Sequence, residues 1–137
     1  MALLNVAKKI DPQWLVLFVC ECDAKKLRPP KWDESYLVRR HSPPGSNSMA
    51  FVLRWNVQGA FQRVVWRGRC GACHILDESP GGLNLWCIGV HLPHDLDSLS
   101  VELSNLRRLV AQRLFGATIV FTGDWNVDQL PSHPRDP

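Results

Sequence analysis

The spacing of hydrophobic and polar positions predicts a helix, a break and a buried strand at the start of this chain. Residues 2–10 place apolar side chains at positions 3, 6, 7 and 10, which is the spacing of one helix face. An Asp-Pro pair at 11–12 ends that pattern. The continuous apolar run at 14–20 is typical of a strand that is buried on both faces, and it ends at Glu21.

The middle of the chain alternates short strand patterns with turns. Residues 23–35 are charged and contain two consecutive prolines, which indicates a surface loop. Strands are predicted at 36–40, 49–57 and 61–67, and the turns between them are rich in Pro, Gly, Ser and Asn. Because short turns usually join strands that pair, we expect an antiparallel meander here. Six arginines are spread through this region, at positions 39, 40, 54, 63, 67 and 69. They either face a phosphate backbone or solubilise the outer face of the sheet, and we favour the second interpretation.

A strand, a long helix and a second strand are predicted in the last third of the chain. A turn at 77–82 precedes an apolar strand at 83–91. The stretch 97–115 then repeats apolar side chains with a period near that of an α-helix. Asp97 or Ser98 is the expected cap of this helix.

The final predicted strand leads directly into polar side chains. Residues 118–122 are all β-branched or aromatic, which predicts a buried strand that runs into Gly123. Asp124 and Asn126 are two positions apart, so they point the same way if the strand geometry persists, and Trp125 then faces the other side. A carboxylate beside an amide can bind a hard cation, orient a water or contact a phosphate.

Composition and charge exclude several classes of protein. A chain of 137 residues forms at most one domain, and 45% hydrophobic with 21% charged residues is ordinary for a globular protein. The net charge of +3 permits an anionic partner but does not select one. No apolar run approaches the ~20 residues of a membrane span, and Lys8, Lys9 and Asp11 interrupt any signal-peptide core. We therefore predict an intracellular domain.

The cysteines form a pattern with several interpretations. Five cysteines fit a reduced setting better than a disulfide scaffold. Cys70, Cys73 and His74 match the attachment pattern of c-type haem, and with Cys20 and Cys22 they also suggest a zinc site. Haem attachment is typical of exported helical proteins, and zinc ribbons bring their cysteine pairs closer together in sequence. We therefore favour free thiols on a strand or its turn, with a zinc-binding interaction module as an alternative.

The order of these motifs resembles the endonuclease/exonuclease/phosphatase superfamily. Its members are metal-dependent phosphodiesterases, including pancreatic deoxyribonuclease, abasic-site endonucleases and retrotransposon endonuclease domains. They carry a Gly-Asp-aromatic-Asn motif at the end of a core strand, as residues 123–126 do here. The early helix, break, strand and Glu21 are similar to the family's first acidic motif, and Val-His-Leu-Pro at 90–93 is similar to its middle motif. Residues 83–128 carry the strongest part of the resemblance.

The resemblance implies a fold and a set of roles. The expected fold is α/β, a partial two-sheet, mostly antiparallel sandwich with flanking helices, over residues 1–128, followed by a polar Pro-rich tail at 129–137. Glu21 would be a ligand of Mg²⁺, with Mn²⁺ as an alternative. His91 would contact the scissile phosphate, Asp124 would orient or deprotonate the attacking water, and Asn126 would position it.

The resemblance is incomplete at both ends of the sequence. Family members begin with an Asn-bearing strand and end with a further Asp and a Ser-Asp-His motif. Asn5 falls inside the first helical pattern, and His133 lacks the Ser-Asp context. We therefore expect a phosphodiesterase-type domain that is weak or inactive as this chain, or a non-catalytic remnant. Nucleic acid is the leading substrate, with phospholipid or nucleotide phosphodiesters as alternatives, and self-association through unpaired strand edges is expected.

Overall fold

The computed structural model describes residues 16–22, 36–43, 47–54, 60–111 and 117–126. These ranges contain one helix and seven strands: β1 (Val16–Cys22), β2 (Tyr36–His41), β3 (Ser48–Arg54), β4 (Phe61–Arg67), β5 (Cys70–Leu76), β6 (Asn84–His91), α1 (Leu96–Ala111) and β7 (Thr118–Asp124). The helix predicted at 2–10, the loop at 23–35 and the tail at 129–137 lie outside the described residues. Within these ranges, no helix has the length and apolar character that a membrane span requires.

The strands form two sheets. In the three-stranded sheet, β3 lies between β1 and β2, and both pairs are antiparallel. The four-stranded sheet has the order β4-β5-β6-β7, in which β6 and β7 are parallel and the other pairs are antiparallel. The prediction of a two-sheet, mostly antiparallel α/β sandwich is confirmed.

The predicted meander from β2 through β4 is wrong, because β4 does not pair with β3. β3 already has a partner on each side, and its residues 49–53 are fully buried. No edge of β3 is left for another strand, so the chain crosses to the second sheet and β4 pairs with β5. Local patterns predict β1 to β4, β6 and β7 and place the β5 cysteines only on a strand or its turn, and they do not contain the choice of partner.

The four-stranded sheet is the central layer. Its inner face packs against the three-stranded sheet through a cluster that includes Phe51, Cys73 and Cys87. Its other face packs against α1 through a second cluster that includes Ile88 and Leu109. Because both faces of β5 and β6 are covered, these strands are apolar without alternation, as parallel or central strands usually are.

The cap of α1 differs from the prediction. The Asp95 carboxylate accepts a hydrogen bond from the N–H of Ser98 at 2.9 Å, and the Asp95 carbonyl accepts one from Leu99 at 3.0 Å. Asp95, and not Asp97 or Ser98, is therefore the N-cap residue. Hydrogen bonds from the side chain and the backbone N–H of Ser98 hold the pKa of Asp95 below its usual range. Hydrophobic periodicity locates a helix but leaves its first residue uncertain by one or two positions.

The last strand is more exposed than its sequence predicts. Val120 and Phe121 are each 46% exposed, although the stretch was expected to be buried. Among the described strands β7 pairs with β6 alone, so it forms one border of its sheet. A border strand has fewer neighbours to cover its side chains, and its apolar composition does not reveal that position.

Candidate functional site

The carboxyl ends of β6 and β7 bring two of the expected site residues together. His91 and Asp124 end these strands and are register partners in the parallel pair. The N–H of Leu92 donates to the carbonyl of Asp124 at 2.9 Å, which extends the pairing one residue beyond His91. Ligands of α/β sheets commonly bind at the carboxyl ends of the strands, where neighbouring loops diverge. This edge is therefore the natural place for a site.

Glu21 reaches the same edge from the other sheet. Its Oε1 lies 3.2 Å from His91 Nε2. The two side chains differ in exposure, because that of Glu21 is 58% exposed and that of His91 only 4%. One member of the pair thus faces solvent while the other is enclosed by protein.

A distortion of β1 aims the Glu21 side chain. The register of β1 against β3 shifts between Val19 and Cys22, and Glu21 has a φ of 55°. A bulge of this kind turns a side chain away from the regular alternation of the strand. A left-handed conformation is costly for a residue with a Cβ, and such strain is concentrated at functional sites. The sequence predicts Glu21 as the first residue beyond a regular strand. In the structure Glu21 lies within β1, at its strained end.

Asn126 adopts a different geometry from the one its spacing predicts. The strand ends at Asp124, and Asn126 has a φ of 48°, so the alternation of the strand does not continue. The backbone N–H of Asn126 donates to Asp124 Oδ1 at 3.1 Å, which is a local turn typical of Asp. Asn126 Nδ2 also donates to the carbonyl of Leu92. Because that carbonyl can only accept, the orientation of the Asn126 amide is fixed.

Arg69 belongs to the site, although the sequence did not single it out. It lies in the turn between β4 and β5, and its Nη2 is 3.2 Å from His91 Nδ1. Its carbonyl also accepts from the His91 backbone N–H at 3.0 Å. The prediction treated this residue as one of six arginines on an outer face. Only the register of β5 against β6, which places Cys70 opposite Val90, brings Arg69 to His91.

A buried carboxylate on α1 holds the Arg69 turn in place. Glu102 is 8% exposed, and its Oε2 accepts from the Arg69 backbone N–H at 2.9 Å and from Asn105 Nδ2 at 3.3 Å. The thiol of Cys70 lies 3.8 Å from the same oxygen. A buried carboxylate is costly without such partners. Glu102 therefore couples the helix to the turn that carries Arg69.

The cysteine pattern does not form a shared metal site. Cys70 belongs to the cluster on the α1 side of the sheet, whereas Cys73 belongs to the cluster between the sheets. Residues three apart on a strand face opposite sides, so these two sulfur atoms cannot bind one ion. Burial raises the pKa of both thiols to about 12, with Glu102 adding to the effect at Cys70. They are free thiols in the core, as expected.

The acidic side chains at this edge suit a partly hydrated ion. Within the ranges that the structure describes, no three His, Cys, Asp or Glu side chains converge closely enough to form a closed metal site. Mg²⁺ does not need one, since it usually takes one or two carboxylates and keeps several waters. The half-exposed Glu21 carboxylate, aimed by a strained bulge, provides a ligand of that kind.

Comparison of the chain with protein-family models, curated proteins and solved structures found no match. Its function is therefore argued from the site itself.

Proposed function

We propose that this chain carries the site of a Mg²⁺-dependent phosphodiesterase, with Mn²⁺ as an alternative ion and nucleic acid as the leading substrate. One observation carries the proposal. Glu21, His91, Asp124 and Asn126 come from three strands in two sheets, and the fold brings them to one edge of the sandwich. The order of motifs in the sequence predicts the same four residues.

Each side chain has a role that matches its geometry. Glu21 would hold the ion, which when bound would draw charge from a phosphoryl oxygen. His91 Nε2 faces Glu21 in this structure; with substrate bound, the Nε2–H would exchange that acceptor for a second phosphoryl oxygen and stabilise the charge that develops there. Asp124 accepts the proton of the attacking water, and the fixed Asn126 amide orients that water. The water oxygen bonds to phosphorus, one P–O ester bond breaks, and the leaving oxygen takes a proton from solvent.

The positive charge of the chain is consistent with nucleic acid as the leading substrate. The chain carries a net charge of +3, and the Arg69 guanidinium lies directly beside His91. A polyanion is attracted to such a surface more strongly than a single phosphodiester is. Phospholipid and nucleotide phosphodiesters remain the alternative substrates.

The test is nicking of supercoiled plasmid by the purified chain, with Mg²⁺ and with EDTA. We expect weak Mg²⁺-dependent nicking that is lost in Asp124→Asn, which keeps the shape of the side chain but removes its basicity. Asp77→Asn is the matched control. Like Asp124, Asp77 accepts a hydrogen bond from a backbone N–H two residues further on, that of Ser79, but it is exposed and lies away from the site. Its nicking rate should equal that of the wild type.

Three results would contradict the proposal. Nicking that persists in EDTA would show a different chemistry. Nicking unchanged in Asp124→Asn would remove the proposed base. An unreactive wild-type protein that unfolds cooperatively would exclude nucleic acid. The wild type, Asp124→Asn and Asp77→Asn would then be assayed on phospholipid and dinucleotide diesters.

We also propose that the border strand β7 pairs with β7 of a second copy. Val120 and Phe121 are exposed, and no charged side chain lies between Thr118 and Gly123. Natural border strands usually carry charges, prolines or bulges that prevent such pairing.

A further inference from the structure

The His91 ring is held through both of its nitrogen atoms. Nδ1 lies 3.2 Å from Arg69 Nη2, and Nε2 lies 3.2 Å from Glu21 Oε1. The side chain is 4% exposed, so solvent has little access to either nitrogen. The position of the ring proton is therefore determined by these two neighbours.

The chemistry of the neighbours allows one arrangement. A guanidinium has only donors, so Nδ1 must accept, and the single proton of the neutral ring then resides on Nε2. That proton faces the Glu21 carboxylate, which can only accept when ionised. The other tautomer would place Nδ1–H against a guanidinium N–H and leave two acceptors, Nε2 and the carboxylate, facing each other. Both hydrogen bonds would be lost together.

The Arg69 side chain occupies a position that lowers the stability of the folded protein. Its Nε is buried and has no hydrogen-bond partner among the described residues. A buried donor without a partner destabilises the folded state. The backbone of the same residue is nevertheless fixed firmly, because its N–H donates to Glu102 and its carbonyl accepts from His91. Arg67 Nε likewise has no partner among the described residues, so the anchored backbone and the contact with His91, and not the unsatisfied Nε, distinguish Arg69.

We propose that Arg69 is a positioning residue that keeps His91 as the Nε2–H tautomer, so that the ring carries its donor on the nitrogen that faces Glu21, from which it would pass to a substrate phosphate that replaces Glu21 as acceptor. This inference rests on the proposed function for its purpose, but the tautomer itself can be measured without activity. Glu102 contributes indirectly, since it holds the turn from which Arg69 reaches the ring.

The first test reads the tautomer by NMR of ¹⁵N-histidine-labelled full-length chain, above the ordinary range of histidine titration. Glu21→Ala removes the acceptor at Nε2, so Arg69 alone then controls the ring. We expect Glu21→Ala to keep an exclusive Nε2–H signature and Glu21→Ala/Arg69→Met to lose that exclusivity, with a new Nδ1–H signal. Glu21→Ala/Arg67→Met is the matched control, because Arg67 is the arginine on the other side of Gly68, and it should resemble Glu21→Ala.

Two spectra would overturn the inference. A mixed tautomer in Glu21→Ala would show that Arg69 does not control the ring. An exclusive Nε2–H signal in the double variant with Arg69→Met would show that another group does. If Arg69→Met fails to fold, Arg69→Gln replaces it. The glutamine side chain keeps a polar end but is too short to reach His91 Nδ1.

The second test separates positioning from direct substrate binding. In plasmid nicking, Arg69→Met should lower kcat about tenfold or more and change KM little, because misplacing a donor affects the transition state more than binding. A raised KM with unchanged kcat would overturn the inference, since it would show that Arg69 binds substrate itself. Absence of nicking in the wild type would count against the proposed function and leave the NMR result to decide the role of Arg69.

Discussion

Backbone strain at Glu21 is the clearest residue-scale sign that this position serves more than the fold. Its φ of 55° lies in a region that a side chain with a Cβ rarely occupies, and its side chain is more than half exposed. The strand therefore bears a conformational cost to hold a carboxylate at the edge where His91 and Asp124 lie.

This strain predicts a difference between two substitutions at position 21. Glu21→Gly and Glu21→Ala both remove the carboxylate, but glycine adopts the left-handed conformation without a Cβ penalty. We expect Glu21→Gly to be more stable than Glu21→Ala by about 1 kcal/mol. Equilibrium unfolding in urea would measure the difference, and equal stabilities of the two variants would mean that the backbone at Glu21 is not strained.

Arg69 and Glu102 show why part of the site could not be predicted from residues alone. Glu21, His91, Asp124 and Asn126 follow strand patterns that the sequence displays locally, so their candidacy was visible. Arg69 is one arginine among six in its region, and its contact with His91 depends on the register between β5 and β6. Glu102 is an acidic residue of α1, and only the packing of the helix against the Arg69 turn makes it buried.

At the scale of elements, the junction of β6 and β7 has almost no spare room. Gly123 has a φ of 118°, and a Cβ placed there would lie 2.0 Å from the carbonyl oxygen of Val90. A second glycine, Gly81, also has a positive φ, of 73°, but a Cβ there would meet nothing within 4 Å. An alanine at Gly81 would therefore suffer backbone strain alone, whereas an alanine at Gly123 would suffer both strain and a steric clash.

We predict that Gly123→Ala destabilises the protein by about 3 kcal/mol or more, since it adds a clash with the β6 backbone to the strain. Gly81→Ala should cost only about 1 kcal/mol, which is strain alone. Thermal and urea unfolding of both variants would test this. A Gly123→Ala protein as stable as Gly81→Ala would mean that β7 is free to move away from Val90.

The buried thiols of β5 and β6 predict how stability depends on pH. Burial raises the pKa of Cys70 and Cys73 from 9.0 to about 12 and that of Cys87 to about 11. Above pH 9 the unfolded chain releases these protons while the folded chain retains them, so the free energy of unfolding falls as pH rises towards 11 and 12. Each thiol contributes a slope of up to about 1.4 kcal/mol per pH unit.

Cys87→Ala provides the check on that slope. Its melting temperature should be lower at neutral pH, because a buried side chain is truncated, yet it should fall less steeply than that of the wild type as pH rises from about 8 to about 10. Parallel curves for the two proteins would show that Cys87 does not contribute to the alkaline loss of stability.

At the scale of the whole molecule, the fold was predictable in its elements more than in their assembly. α1 and most of the strands have a hydrophobic pattern in the local sequence, whereas the sequence placed the β5 cysteines only on a strand or its turn. The sheet to which β4 belongs and the exposure of β7 depend on which edges remain available after other strands have paired. Those are properties of the assembled sandwich, and no single stretch of sequence displays them.

The exposed border of β7 predicts concentration-dependent association of the whole protein. Val120→Lys should shift sedimentation-velocity profiles towards the monomer, because a charge on a border strand opposes strand pairing. Val101→Lys is the matched control, since Val101 is 61% exposed on α1 and undergoes the same change. A wild-type protein that stays monomeric at high concentration, or equal effects of both substitutions, would contradict pairing through β7.

The parallel pairing of β6 and β7 also has a consequence for chain entropy. Joining these strands through α1 closes a segment of 27 positions, from 91 to 118, whereas joining Glu21 to His91 closes one of 70 positions, from 21 to 91. The longer closure costs about 1 kcal/mol more. His91, Asp124 and Asn126 thus lie in one contiguous segment of the chain, and Glu21 is the member that comes from a distant segment. We therefore expect the carboxylate proposed to hold the ion to leave the site before the other three residues when the sandwich loosens.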